Sequence, residues 1–204
     1  KYNGTVDLLN TPIWEEFGVM KFNGTSDIIE REDNFFSIQT GPFTISAEIK
    51  TTGTAYQCIM YNHYNPGFSF LTNITNGVLR LWVGGSVLNG NTPVNDGEWH
   101  MVSATRDSGG NLKLYVDGVL DNSGTGFTGN ATNTNYSFTV GKYETGNYPF
   151  DGYISNVRVY YGALSATQIQ TLYDNRKSLV FLNGELENSE LTFDNTKGTL
   201  TLNE

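Results

Sequence analysis

The stretch Asp96–Leu120, DGEWHMVSATRDSGGNLKLYVDGVL, decides how this chain folds. Trp99 to Arg106 is one extended apolar-rich run. Leu112 to Val116 then alternates, with Leu112, Leu114 and Val116 on one face and Lys113 and Tyr115 on the other. A period of two belongs to a strand, because successive side chains of extended backbone point to opposite faces. Asp117-Gly118 follows at once, and Val119 resumes the apolar pattern. A two-residue connection ending in Gly, which takes positive φ without steric cost, is the strongest short-range signature of a type I′ hairpin. The passage reads as antiparallel strands joined by tight turns.

The same pattern extends outward. In GPFTISAEIK, Phe43, Ile45, Ala47 and Ile49 share one face and Thr44, Ser46, Glu48 and Lys50 the other. Alternation or short apolar runs recur at Val19 to Phe22, Gln57 to Tyr61, Gly67 to Leu71, Val78 to Val83, Tyr136 to Val140 and Tyr153 to Tyr160, nearly all separated by turn residues. In GYISNVRVYY the spacing of Ile154, Val157 and Val159 breaks strict alternation once, which predicts a β-bulge near Ser155 and Asn156. One short helix is expected near 165–173. Ser165 and Gln168 form a capping box before Ile169, Leu172 and Tyr173, and the helix is expected to pack on a sheet edge. The tail from Ser178 predicts two or three more strands, with turns at Asn183-Gly184 and Lys197-Gly198.

Composition agrees with an all-β chain. Of 204 residues, 38% are hydrophobic and only 16% charged, so Gly, Asn, Thr and Ser dominate the rest, as short strands with many turns require. The chain reads as a single domain over 1–204, with no linker and no fixed-period repeat. Its net charge of -9 argues against nucleic acid as a partner, because such binders draw affinity from Lys and Arg. No apolar run reaches membrane-spanning length. Cys58 is the only cysteine, so no internal disulfide can form, and its apolar setting predicts a buried, inert thiol. A chain that begins at Lys1 and not at Met is expected to be a processed or excised piece of a longer protein.

Five passages occur in an order that resembles a known superfamily: VMKFNGTSD, GPFTISAEIK, DGEWHMVSATRD, LKLYVDGVL and FDGYISNVRVYYGALSATQIQTLY. Together, over about residues 19–173, they are similar to the laminin-G-like, concanavalin A-like lectin/glucanase superfamily, in particular its bacterial and viral branch. The resemblance implies a two-sheet antiparallel jelly-roll β-sandwich with one curved sheet. Residues 178–204 fall outside the pattern and are expected to complete a sheet edge or to serve as an arm for assembly. The resemblance also makes Trp99 a core residue, and His100 a core residue with both ring nitrogens hydrogen-bonded.

Catalysis finds little support. Hydrolases of this superfamily carry paired carboxylates on one strand, about 5 Å apart in retaining enzymes, and the nearest acidic cluster here, Glu30-Arg31-Glu32-Asp33, lacks that spacing. His63 and His100 accompany no nucleophile motif, so the expectation is no enzyme and no catalytic residue. Many relatives bind calcium. The family's paired Asp of the closing strand is here Ser155-Asn156, which leaves Asp27 and Asp151, with backbone oxygens, as the metal candidates.

Carbohydrate binding uses aromatic faces that stack on sugar rings, with amides and carboxylates for the hydroxyls. YNHYNPGF and GKYETGNYPFD supply that mixture, so the candidates are Tyr61, His63, Tyr64, Asn65, Tyr143, Asn147 and Tyr148, with Trp82 as a strand-borne platform. Loop tyrosines also serve simply to cover sheet edges. The expected function is a non-catalytic module binding a glycan or a host or cell-surface ligand. The alternative is a structural, decoration or adhesion domain of a virion or surface fibre, whose partners are other subunits. Either suits an extracellular, cell-surface or virion-surface location. Sequons at Asn3, Asn23, Asn73, Asn130 and Asn135 matter only in a secreted eukaryotic protein.

Overall fold

The structure, a computed structural model, describes residues 7–9, 13–14, 19–31, 38–63, 66–72, 76–133, 135–180, 190–194 and 199–203, with side chains described for 19–31, 38–63, 66–72, 76–133 and 135–175. In chain order the elements are β1 (Asp7–Leu9), β2 (Ile13–Trp14), β3 (Met20–Asn23), β4 (Ile28–Arg31), β5 (Phe43–Lys50), β6 (Gln57–Asn62), β7 (Phe68–Thr72) and β8 (Val78–Val83). They continue as β9 (Ser86–Pro93), β10 (His100–Arg106), β11 (Leu112–Val116), β12 (Val119–Gly124), β13 (Phe138–Val140), β14 (Asp151–Tyr160), α1 (Ala166–Val180), β15 (Glu190–Asp194) and β16 (Thr199–Asn203).

Two antiparallel sheets face each other. The first runs β1-β4-β13-β6-β7-β8-β9 and the second β12-β11-β10-β5-β14-β3-β2; each has six principal strands and a short N-terminal strand at one edge. Alternate residues of both sheets meet between them: Phe22, Phe43, Ile45, Ile49, Val102 and Leu114 from the second, and Ile59, Phe68, Phe70, Leu79, Leu81 and Val83 from the first. The jelly-roll sandwich follows from this alternation, which buries one face of each sheet against the other. No helix among the described residues is long and apolar enough to cross a membrane.

The hairpin at the centre of the sequence forms as its turn residues require. Asp117 and Gly118 have φ of 51° and 81°, both positive as a type I′ turn demands, and β10 pairs with β11 from Val102↔Val116 to Arg106↔Leu112. The register of β14 on β5 shifts between Ser155 and Arg158, with Asn156 at φ 49°, so the bulge lies where the broken alternation put it. His100 is bonded at both ring nitrogens, to Asp117 Oδ2 at 2.7 Å and Asp96 Oδ1 at 3.1 Å. It sits at the end of β10 and braces the hairpin turn.

Two expectations need correction. Trp99 is half-buried and outside the core: His100 shares the face of its partner Ile49, so Trp99 falls on the opposite face, where its ring lies 6.2 Å from that of Tyr153. The helix forms where expected, over Ala166–Val180, but packs on a sheet face near β12 and not on a sheet edge. Ile169, with Leu164, Leu172 and Tyr173, covers Met101 of β10 and Tyr115 of β11, so the outward-facing Tyr115 is nonetheless buried. Its capping box is present: Ser165 N donates to Gln168 Oε1 at 2.9 Å and Gln168 N to Ser165 Oγ at 3.2 Å. In the tail, the described strands β15 and β16 pair with each other as a separate two-stranded sheet; the turn residues 183–184 and 197–198 lie outside the described residues.

Two polar devices close the sandwich. Arg106, on the inward face of β10, is 0% exposed. Its guanidinium donates to the carbonyls of Gly41, Gln39 and Gly129 at 2.7–3.2 Å, and it lies 4.9 Å from the Phe43 ring. It thereby ties two loops to the end of the core. At the side where β9 and β12 are the neighbouring edges, Asp121 accepts from Asn91 N, Thr92 N and Thr92 Oγ1 at 2.7–2.9 Å. Asn122 Nδ2 donates to Asn89 O at 2.7 Å. These bonds occupy groups of the β9 edge that could otherwise recruit another strand.

Candidate functional site

The loop between β13 and β14 builds the site by folding back over the outer face of the first sheet. A register shift between Cys58 and Met60 interrupts the β6–β7 ladder, and the loop supplies partners there: Cys58 N donates to Tyr148 O at 2.8 Å and Gly141 N to Ile59 O at 3.3 Å. Within the loop, Gly146 N donates to Tyr143 O and Tyr143 N to Asn147 O, at 2.8 and 3.0 Å. A compact turn results, with Tyr143 aimed down at the sheet.

Beneath the loop lies a second small core of Cys58, Tyr61, Leu71 and Tyr143. Tyr61 is 1% and Tyr143 8% exposed, and their rings stack at 3.9 Å. The Tyr143 hydroxyl hydrogen-bonds the Ser69 hydroxyl of β7. Burial pushes the Tyr143 phenol and the Cys58 thiol well above their ordinary ionisation ranges. Burial thus favours the neutral form of both groups.

Above this floor is a groove of about 410 Å³ lined by Tyr56, Tyr61, His63, Leu71, Arg80, Trp82, Tyr143, Thr145, Asn147 and Tyr148. That volume suits a small ligand, for which sites span roughly 300–1,000 Å³. The aromatic groups form a connected series. Tyr148 meets Tyr143 edge-on at 4.9 Å and Tyr56 at 5.3 Å, and the Arg80 guanidinium lies 5.8 Å from the Tyr56 ring and 5.2 Å from that of Trp82. His63 stacks on Tyr136 at 4.1 Å. Tyr148 is 40% exposed, so its ring forms a wall of the groove.

Two of the lining residues hold left-handed backbone, His63 at φ 60° and Tyr148 at φ 56°. For non-glycine residues this costs on the order of 1–2 kcal/mol each. The loop bonds that fix Tyr148 O on Cys58 N hold the conformation in place.

Of the residues expected from sequence, Tyr61, His63, Trp82, Tyr143, Asn147 and Tyr148 are brought together in this one groove; Tyr64 and Asn65 lie outside the described residues. Tyr61 and Tyr143 are its buried floor, not exposed platforms. Sequence reading missed Tyr56 and Arg80. Arg80 carried a usable signal, since in VLRLWV it stands two residues before Trp82 and therefore on the same face of β8.

Asp27 and Asp151, the metal candidates, flank the Asn23 turn. Asp27 is buried and accepts from Asn23 N at 2.9 Å and Asn23 Nδ2 at 2.8 Å, so its carboxylate has internal partners. Asp151 is exposed and its carbonyl accepts from Thr51 Oγ1 at 2.6 Å. Among the described residues no group of three or more His, Cys, Asp or Glu converges in a way that could hold a metal ion.

A family model described as the concanavalin A-like lectin/glucanases superfamily, of laminin G type, matches residues 23–170. Among solved structures, the receptor-binding domain of the botulinum neurotoxin C/D mosaic serotype is similar at 16% identity and a TM-score of 0.69, over 86% of this chain and 47% of that one. The botulinum neurotoxin serotype D ligand-binding domain, in complex with N-acetylneuraminic acid, is 17% identical with a TM-score of 0.68 and the same coverage. Domain 4 of an extracellular arabinanase from Geobacillus stearothermophilus, in complex with arabinotriose, is 24% identical with a TM-score of 0.62, over 84% of this chain and 82% of that one. The chain spans about half the length of the toxin domains. At these identities the likeness is one of fold. None of the curated proteins matches the chain.

Proposed function

We propose that this chain, which belongs to the concanavalin A-like lectin/glucanases superfamily, is a non-catalytic module that binds carbohydrate in the groove between the β13–β14 loop and the outer faces of β6, β7 and β8. The observation that carries this reading is the composition of the groove. It joins half-exposed aromatic rings to amide, hydroxyl and guanidinium groups, and no carboxylate is among its described lining residues. Sugar rings present apolar C–H faces and polar rims, which that mixture complements. Hydrolysis by the usual route needs two carboxylates flanking the bond, and the groove offers none. Sugar complexes of two proteins of similar fold, one with N-acetylneuraminic acid and one with arabinotriose, support the reading. Such a module works outside the cell or on its surface.

The test is a glycan array followed by calorimetric titration of the best binder against the unmodified chain, Trp82→Ala and Tyr148→Ala. Binding lost in both variants, with melting temperatures retained, is the expected result. An array without binders, or full affinity in both variants, would overturn the proposal.

The separate β15–β16 hairpin favours a second reading, in which the domain is a structural or adhesion unit of a virion or surface fibre and the hairpin contacts a neighbouring subunit. Light scattering on the full chain and on residues 1–180 distinguishes the two: assembly that depends on the hairpin supports the structural role, and a monomer in both cases removes it.

A further inference from the structure

Arg80 is the one permanently charged side chain among the described residues lining the groove, in a chain whose net charge is -9. Its guanidinium is held by neutral groups: the rings of Trp82 and Tyr56 at 5.2 and 5.8 Å, and the amide of its cross-strand partner Asn89, to whose Oδ1 it donates from Nη1 at 3.0 Å. No carboxylate among the described residues lies within ion-pair distance of it. Arg106 is the contrast, because its donors are directed onto backbone carbonyls in the core. Arg80 instead meets no carboxylate among the described residues, and it keeps a planar donor array and a fixed position beside the aromatic surface. A guanidinium so oriented pairs bidentately with a carboxylate. One arginine, with no lysine among the described lining residues, matches a single carboxylate better than a polyanion.

From these contacts we infer that the groove selects glycans carrying a carboxylate, of the uronic or sialic type, with the sugar against Trp82 and Tyr148 and its carboxylate on Arg80. The inference rests on the carbohydrate reading above and deepens it. It is tested on an array that pairs acidic glycans with their carboxyl-reduced counterparts and also includes sulfated glycans. The strongest acidic binder and its carboxyl-reduced form are then titrated against the unmodified chain, Arg80→Lys and Arg80→Gln.

The expected result is affinity about tenfold or more higher for the acidic form, as a charge-assisted bidentate pair provides. That difference should shrink in Arg80→Lys and vanish in Arg80→Gln. Added salt should weaken binding of the acidic form only, a readout on the unmodified chain that does not depend on a variant folding. Equal affinity for the two forms, a preference that survives Arg80→Gln, or a sulfated glycan as best binder would overturn the inference and leave the carbohydrate reading standing. An array with no binder at all would remove both.

Discussion

Tyr61 of β6 and Tyr143 of the β13–β14 loop stack with ring centroids 3.9 Å apart and planes 21° from parallel, and through this contact the sheet holds the loop that walls the groove. The stack sits over Cys58 and Leu71, so the loop has an apolar anchor of its own outside the main core.

Removing that anchor separates packing from hydrogen bonding. Tyr143→Ala leaves a cavity under the loop and should destabilise the fold by about 3 kcal/mol, in the range of large-to-small core changes, and abolish ligand binding. Tyr143→Phe keeps the stack and loses only the bond to Ser69. It should cost about 1 kcal/mol and leave the groove competent. Urea unfolding and ligand titration on both variants check this, and equal losses in the two would contradict the stack's primacy.

Arg106 offers a second test. Arg106→Met fills much of the same volume but leaves the carbonyls of Gln39, Gly41 and Gly129 without the donors they have now. Unpaired buried carbonyls cost about 1–3 kcal/mol each, so a loss of about 3 kcal/mol or more is expected in urea unfolding. A variant as stable as the parent would mean that water or loop movement satisfies those carbonyls.

Much of this architecture could be read from alternation, and its failures have identifiable causes. β5 declares itself because Phe43, Ile45, Ala47 and Ile49 are all buried on one side. β9 does not: in SVLNGNTP only Leu88 is buried, since the strand lies at an edge and is held by backbone pairing and Asp121. The groove was half legible. Aromatic-rich loops marked its walls, yet nothing local distinguishes Tyr143, which turns down onto Tyr61, from Tyr148, which turns out. That difference arises from the loop's bonds to β6, a contact between segments some 90 residues apart in sequence. Arg80 joins the site for a similar reason, because its neighbours Tyr56 and Asn89 come from other strands and connections.

Stability should depend on pH through His100. Its pKa is raised above the ordinary 6.5, first by the hydrogen bond to Asp117, against the opposing effect of burial. Both its partners are carboxylates, which accept only, so the folded state favours the imidazolium. The stabilisation is therefore complete below pH 6.5 and lost as pH rises through the higher folded-state value. Urea midpoints of the parent should fall across that window relative to His100→Asn. Parallel pH profiles for the two proteins would exclude this coupling.

The Asp121 bridge between the sheet edges predicts a local effect. Asp121→Ala removes the acceptor for Asn91 N and Thr92 N, so those two amides should exchange with solvent markedly faster while amides of β5 and β10 keep their protection. Groove binding should be unchanged. Uniform acceleration across both sheets would show instead that the bridge supports global stability.

Tyr148 tests whether the groove wall is kept for binding at the expense of the fold. At φ 56°, Asn is tolerated well because its short polar side chain suits the left-handed region, whereas a β-branched residue is strongly disfavoured. Tyr148→Asn loses edge contacts to Tyr56 and Tyr143 but relieves backbone strain, so its stability should stay within about 1 kcal/mol of the parent, the two effects opposing each other. Tyr148→Val loses the same contacts and adds strain, and should fall by about 2 kcal/mol or more. Both variants lose the ring that closes the groove, so both should lose ligand affinity, the Asn form despite an intact fold. Retained affinity in Tyr148→Asn would show that the ring is a lid on the small core of Tyr61 and Tyr143, with no part in recognition.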